Sequence, residues 1–227
     1  MTSRFLTRRR ALAAVLSGAV VAALVALPAT SAQAAPSTTL VINEVYGGGG
    51  NTGAPFSNDF IELRNIGATD IDLSTWSVQY ASSGGVTWTN KTNLTGTLPA
   101  GGHYLIQEAA GTTVTDKPLP APVDATGTIA MSGTNGKVAL VSNQTALACG
   151  ADCDGKPGVV DFVGYGSAND SETAPTGVLS NTTSASRNDL GADTDNNSAD
   201  FAVGDPTPRC GTCSGTPAPP RRTSRWH

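Results

Sequence analysis

The sequence predicts an all-β domain built as two packed sheets, and three observations carry that reading. From Ala35 onward the chain shows short β-branched and aromatic runs with near-alternating polar positions, and helix-type periodicity is absent. Turn-forming residues recur at intervals of roughly 8–15 residues, as in a sandwich. Gly, Ser, Thr, Asn and Asp are abundant while charged residues make up only 14%, a composition that suits an extracellular β domain.

The elements follow in order. Leu40–Tyr46 (LVINEVY), Asp59–Ile66 (DFIELRNI) and Asp72–Tyr80 (DLSTWSVQY) are three strand-like runs, each with one face expected on a core and one in water. Gly47–Gly50 reads as a flexible loop at a sandwich end, because no Lys and no helix follow to make a phosphate-cradling loop. Asn65-Ile66-Gly67-Ala68 makes a turn. Thr87-Trp88-Thr89 begins a further strand, and Leu94–Leu98 continues the pattern. Pro99-Ala100-Gly101-Gly102 is a strong turn signal before His103–Gln107, a near-continuous apolar run suited to a buried strand. A polar connection spans Gly111–Asp124. Ile129–Met131, Gly136–Val141 and Val159–Gly166 complete the strand candidates. From Gly204 the hydrophobic pattern stops, and Pro206, Pro208, Pro217, Pro219 and Pro220 mark an extended tail.

Residues 1–34 read as an export signal and not as fold. Arg4, Arg8, Arg9 and Arg10 form a basic start, Ala11–Leu27 is apolar, and Ala32-Gln33-Ala34 is a small-x-small cleavage site before Ala35. Export by the Sec or the twin-arginine route is expected, giving a secreted, extracellular chain with no second apolar run long enough to span a bilayer. The domain organisation is then 1–34 signal, 35–205 sandwich and 206–227 Pro/Arg-rich disordered tail.

Charge argues against one class of partner. The 14 basic and 18 acidic residues become 10 and 18 once the four signal arginines leave, a net of −8. Counterion release along a phosphate backbone needs Lys and Arg, so nucleic acid is not favoured. The one basic cluster is Arg221, Arg222 and Arg225.

Cysteine usage agrees with an oxidising compartment. Cys149, Cys153, Cys210 and Cys213 read as disulfide cysteines, either two local bridges or one longer cross-link. The C-x₃-C and C-x₂-C pairs lie too far apart in sequence for a compact zinc knuckle, and Cys213 runs into Ser-Gly-Thr-Pro instead of a helix that would lower a thiol pKa.

Catalytic chemistry finds no constellation. The chain has two histidines, His103 and His227. His103 reads as a half-buried or surface structural residue, and a Ser-His-Asp set or a metal-dependent phosphodiesterase would have to rest on it. No enzyme activity is expected. Candidate binding residues are the strand carboxylates Glu44 and Glu62, joined by Asp59, and Trp88, which could stack on a sugar or partner or else pack in the core. Trp76 is expected in the core. No cofactor is expected apart from Ca²⁺, for which Asp193-x-Asp195-x-Asn197 offers a weak oxygen-rich run lacking the glycine and later glutamate of a helix-loop-helix calcium site.

Taken together, the ordered motifs N-E-V, F-I-E-L-R-N, D-L-S-T-W, L-P-A-G-G-H-Y-L, G-K-V-A-L-V, V-D-F-V-G-Y-G, S-A-S-R and T-D-N-N-S-A-D-F resemble the lamin tail domain in its bacterial secreted form, from about Thr39 to Pro208. The resemblance implies an immunoglobulin-like β-sandwich that binds or positions other molecules. It also implies two functional alternatives. One is a secreted, non-catalytic binding or scaffolding module for an extracellular protein, cell-wall or glycan ligand, using loops such as Gly47–Pro55 and Gly111–Asp124. The other is the accessory targeting domain of an extracellular metal-dependent nuclease whose catalytic domain is absent from this chain.

Overall fold

The computed structural model describes residues 35–188 and 191–211. The expected export signal, Cys213 and the tail from residue 212 onward lie outside the described residues. Twelve strands and a single helical turn are described: β1 Leu40–Tyr46, β2 Asn58–Asn65, β3 Ile71–Asp72, β4 Ser77–Ser82, β5 Asn90–Asn93, β6 Thr97–Leu98, β7 His103–Ala110, β8 Ala125–Thr126, β9 Gly136–Val141, β10 Val159–Tyr165, β11 Ser184–Arg187, α1 Asn197–Asp200 and β12 Phe201–Gly204. A six-stranded sheet runs β12-β11-β1-β2-β7-β8, and a four-stranded sheet runs β10-β9-β4-β5. All pairings in both are antiparallel except the short β7–β8 contact, and β3 and β6 form a separate two-stranded ribbon. The predicted all-β sandwich is the observed architecture.

The core lies between the sheets. Leu40, Ile42, Val45, Ile61, Leu63, Tyr104, Ile106 and Ala185 from one sheet meet Val78, Tyr80, Val138, Leu140, Val163 and Tyr165 from the other. Period-two alternation puts these residues on the inner faces. Trp76 packs against the same core while remaining half-buried.

Two bulges decide where the carboxylates go. In β1 the register against β2 shifts between Ile42 and Glu44. In a regular strand without the bulge at Asn43, Glu44 would share the face of Leu40 and Ile42. The bulge hands that inward place to Val45 and sends Glu44 to the outer face. In β10 the register against β9 shifts between Val159 and Asp161, and Asp161 then shares the parity of the core residues Val163 and Tyr165.

The strands' second faces are not in water, as the alternation suggested. On the outer side of the six-stranded sheet, Tyr46, Phe60 and Leu105 pack with Leu119 and Cys210, flanked by Phe56 and Val123. On the outer side of the four-stranded sheet, Ala81, Trp88, Ala139, Val141 and Phe162 pack with Cys153 and the half-buried Leu147 and Cys149. Full burial of a side chain such as Phe60 or Phe162 stabilises by about 1.5–3 kcal/mol, so these loop-covered layers are a substantial share of the fold. Cys149 and Cys153 form a disulfide with Cα atoms 5.2 Å apart, closing the loop over the second layer. Cys210 is disulfide-bonded as well.

Trp88 takes the core of its two readings, and two other expectations change here. Trp88 is 1% exposed, its Nε1–H donates to the Gly150 carbonyl at 3.0 Å, and its ring lies 5.7 Å from that of Phe162. It is a packing residue, and its flanking threonines gave no hint of the loop that covers it. Gly47–Gly50 is a buried, close-packed turn instead of a flexible loop: a Cβ on Gly49 would stand 2.0 Å from the Asn58 carbonyl carbon. The tail boundary also moves, because residues 206–211 lie against the six-stranded sheet.

Candidate functional site

The structure groups the polar residues in three places. At one end of the sandwich, the loops 47–55 and 111–124 are zipped together. Thr113 and Val114 donate backbone N–H groups to Gly50 O at 2.9 and 3.0 Å, Gly111 N donates to Ser57 O, and Ser57 N donates to Lys117 O. Lys117 Nζ closes the far side on Ala54 O at 3.1 Å. The result is one platform with Asn51, Thr52, Gly53, Thr112, Thr113 and Thr115 exposed on it. Gly50, at φ +64°, allows the two loops to touch: a Cβ there would fall 2.3 Å from Gly111 Cα.

Two buried carboxylates anchor this end. Asp59 accepts the N–H groups of Gly49 and Met131, both at 2.8 Å. Burial pushes its pKa up to about 7 against the pull of those two bonds, with Glu108 adding to the rise. Glu108 accepts from Thr92 Oγ1 at 2.6 Å and Ile129 N at 2.9 Å, and burial raises it too to about 7. The pocket at this end, lined by Gly47, Asp59, Gly111 and Met131 among others, holds about 130 Å³. Small-molecule sites take roughly 300–1,000 Å³, so this end offers a surface and not an enclosed ligand cavity.

The second place is the outer face of the six-stranded sheet. Glu44 and Glu62 face each other across β1 and β2, 1% and 0% exposed. The sequence offered them as binding candidates; a strap of residues 205–211 covers them. Glu44 Oε1 accepts from Ser184 Oγ at 2.6 Å and from Thr207 N at 2.8 Å, and Oε2 accepts from Thr207 Oγ1 at 3.1 Å. Glu62 Oε1 is bonded to Asn43 Nδ2 and His103 Nδ1, both at 2.7 Å, and Oε2 accepts the Arg209 N–H at 2.5 Å. Burial raises Glu44 to about 7, the Ser184 bond opposes this, and Glu62 adds to it. His103 is therefore a half-buried structural partner of Glu62.

The third place is a charge cluster at the sandwich edge, which sequence reasoning touched only through its S-x-x-R and T-D-N-N-x-x-D-F segments. Arg187 Nη2 lies 2.7 Å from Asp161 and 3.9 Å from Glu172, and Nη1 lies 3.0 Å from Asp200 and 3.3 Å from Asp193. The guanidinium stacks 4.4 Å from the Phe201 ring. It also serves the β1 bulge: Nε donates to Ile42 O at 2.9 Å, while Asp161 Oδ2 takes the Ile42 N–H. Burial pulls Arg187 down, and the surrounding carboxylates outweigh that and hold it above its usual value. Glu172 is pushed up to about 10 by burial and then by Asp161 and Asp193.

Asp193, Asp195 and Asn197, the expected calcium run, each make hydrogen bonds within the protein. Asp161, Glu172 and Asp193 do bring oxygens within 4.8 Å of one another, but an arginine already supplies the positive charge. Of the three expected ligands only Asp193 belongs to that group. Asn197 is buried and spent on β10: its Oδ1 accepts Gly164 N at 2.9 Å, and its Nδ2 donates to Phe162 O and Glu172 Oε2, both at 2.8 Å. Asp195 sits on a turn at φ +53° with its N–H donated to Asp193. The alternate spacing falls on a turn at Asp195 and on Asn197, which is tied to β10.

Among the described residues no helix is long and apolar enough to cross a membrane. None of the curated proteins matches the chain. Among solved structures, a DUF4876 family protein from Bacteroides thetaiotaomicron is similar at 14% identity and a TM-score of 0.33, over 46% of this chain and 42% of that one. So weak an overlap carries no argument. The Lamin Tail Domain family model matches residues 33–167, a range that takes in β1 to β10. With more than half of its length matched, and its strands arranged as a two-sheet sandwich, the chain belongs to the lamin tail domain family.

Proposed function

We propose that this chain is a secreted, non-catalytic recognition module that binds an extracellular protein or cell-wall material through its loop platform. One observation supports the reading above others: loops 47–55 and 111–124 are joined by main-chain hydrogen bonds into a single exposed surface, seated on the buried Gly47–Gly50 turn and the Asp59 anchor. A rigid scaffold that presents loops is how binding surfaces are commonly built. The family is a non-catalytic immunoglobulin-like one, and the buried carboxylates and His103 are each engaged by structural partners. The acidic balance disfavours nucleic acid as the ligand.

The test uses the purified chain without residues 1–34. Saturable binding to cell-wall sacculi or to surface-protein fractions is expected, and Thr112→Arg with Thr115→Arg should abolish it while leaving the melting temperature within a few degrees. The same preparation is assayed on plasmid and single-stranded DNA with Mg²⁺ and Ca²⁺. Metal-dependent cleavage that co-purifies with the chain would overturn the non-catalytic reading, and binding indifferent to the platform substitutions would overturn the assignment of the surface.

A further inference from the structure

The strap is held in an unusual way. Thr207, Arg209 and Gly211, alternate residues of an extended segment, each donate their backbone N–H to a carboxylate: Glu44 Oε1 at 2.8 Å, Glu62 Oε2 at 2.5 Å and Asp124 Oδ2 at 3.0 Å. The acceptors form a row across the sheet, on β1, on β2 and beside β8. Asp124 is held in place by Leu105, whose N–H it accepts at 2.8 Å and whose carbonyl takes its own N–H at 2.9 Å. Pro206 precedes the first donor and Pro208 separates it from the second; neither has an N–H to leave unpaired, and each keeps the residue before it extended. Gly211 must lack a side chain, since a Cβ would stand 2.4 Å from His103 O. Thr207 Oγ1 on Glu44 and Cys210 in the apolar cluster add side-chain contacts to these main-chain ones.

We propose that the Glu44–Glu62–Asp124 row is a receptor for an extended, proline-alternating peptide, filled in cis by residues 205–211 and able to take the same segment from a second copy of the chain. The receptor is built independently of its occupant, because Ser184, Asn43, His103 and Leu105 hold the three carboxylates from the sheet side. The strap leaves β12 through the exposed Gly204, where a Cβ would meet nothing within 4 Å. Rotation there exchanges identical contacts between copies at low cost. This site lies on a sheet face and not on the loop platform, so it stands or falls apart from the recognition role proposed above.

The experiment mixes two full-length variants. Arg209→Pro removes the donor to Glu62 and leaves the receptor intact; Glu62→Gln weakens the receptor and leaves the strap intact. Light scattering is expected to find a one-to-one heterodimer in the mixture and predominantly monomer in each variant alone. A fluorescent peptide spanning residues 204–211 with Cys210→Ser should bind the Arg209→Pro chain. It should bind about ten- to a hundredfold more weakly when Glu62→Gln is added, the loss expected for one charge-assisted hydrogen bond. The wild-type chain, with its receptor filled, should take up little peptide. If Arg209→Pro does not fold, Thr207→Pro, which removes both donors to Glu44 and leaves that to Glu62, takes its place. A folded strap variant that binds no peptide, or a peptide N-methylated at Arg209 that binds equally well, would overturn the proposal.

Discussion

Around Arg187, four carboxylates share one guanidinium; on the opposite face of β1, Glu44 and Glu62 share main-chain amides and a histidine. Both groups are buried, and both would be costly without partners. The first is held by a cation on β11, within the sheet that it stabilises, and its bonds tie the bulge of β1 to β10. The second is held by a strap lying over the sheet. A charge compensated from inside the scaffold is lost only with the scaffold. A charge compensated by a removable segment can exchange its partner for water or for another chain.

That difference can be broken experimentally. The largest effect is expected from Arg187→Met, which strips four buried carboxylates of their cation. Removing one partner of a buried ion pair typically costs about 3–5 kcal/mol, so loss of the cooperative thermal transition is the expected result by calorimetry. Arg187→Lys should rescue little, because one ammonium cannot reach Ile42 O, Asp161 and Asp200 together.

The pH dependence separates the two groups next. Glu44 sits near 7 in the folded chain against 4.5 for the free side chain, so between those values the folded state retains a proton that the unfolded chain has released. Its stabilising contribution is complete below about pH 4.5 and is lost as pH rises through 7, on the order of 3 kcal/mol at most. Asp59 and Glu108, both near 7, act in the same direction. The urea midpoint should therefore be higher at pH 5 than at pH 8, and Glu44→Gln should flatten that slope. Glu172, raised from 4.5 to about 10, adds to the decline from about pH 4.5 and carries it on towards pH 10, and Glu172→Gln should flatten the slope over that whole range.

Smaller effects sharpen the strap side. Glu62→Gln should cost about 1–3 kcal/mol and show first as faster amide hydrogen exchange at Thr207, Arg209 and Gly211, with the sheet amides little changed. Thr207→Ala removes only the hydroxyl bond to Glu44 Oε2 and keeps the amide bond; a loss below about 1 kcal/mol in chemical denaturation is expected.

Much of the frame was legible in the chain. The runs LVINEVY, DFIELRNI, HYLIQ, GKVALV and VVDFVGY appear as β1, β2, β7, β9 and β10 within a few residues, because period-two patterning is a local property. The site was less legible. Glu44 and Glu62 were visible as strand carboxylates, but the amides that cover them come from residues more than 140 positions away. Asp193-x-Asp195-x-Asn197 suggested converging oxygens because spacing alone cannot show that an arginine already stands among the carboxylates. The strap was read as tail because prolines and missing hydrophobic pattern describe a segment with no core of its own. Its partners are acidic groups on the far side of a sheet, and its N–H spacing becomes meaningful only against them.

By itself, then, the sequence determined the all-β class, the positions of most long strands and the family, since alternation, turn residues and ordered motifs are short-range features that survive without a partner in view. Tertiary structure alone decided that both outer faces are covered, that two bulges send Glu44 outward and Asp161 inward, and that Arg187 and the strap divide the buried carboxylates between them. The reason is physical: a buried charge is set by what lies within a few ångströms of it, and here those neighbours come from opposite ends of the chain.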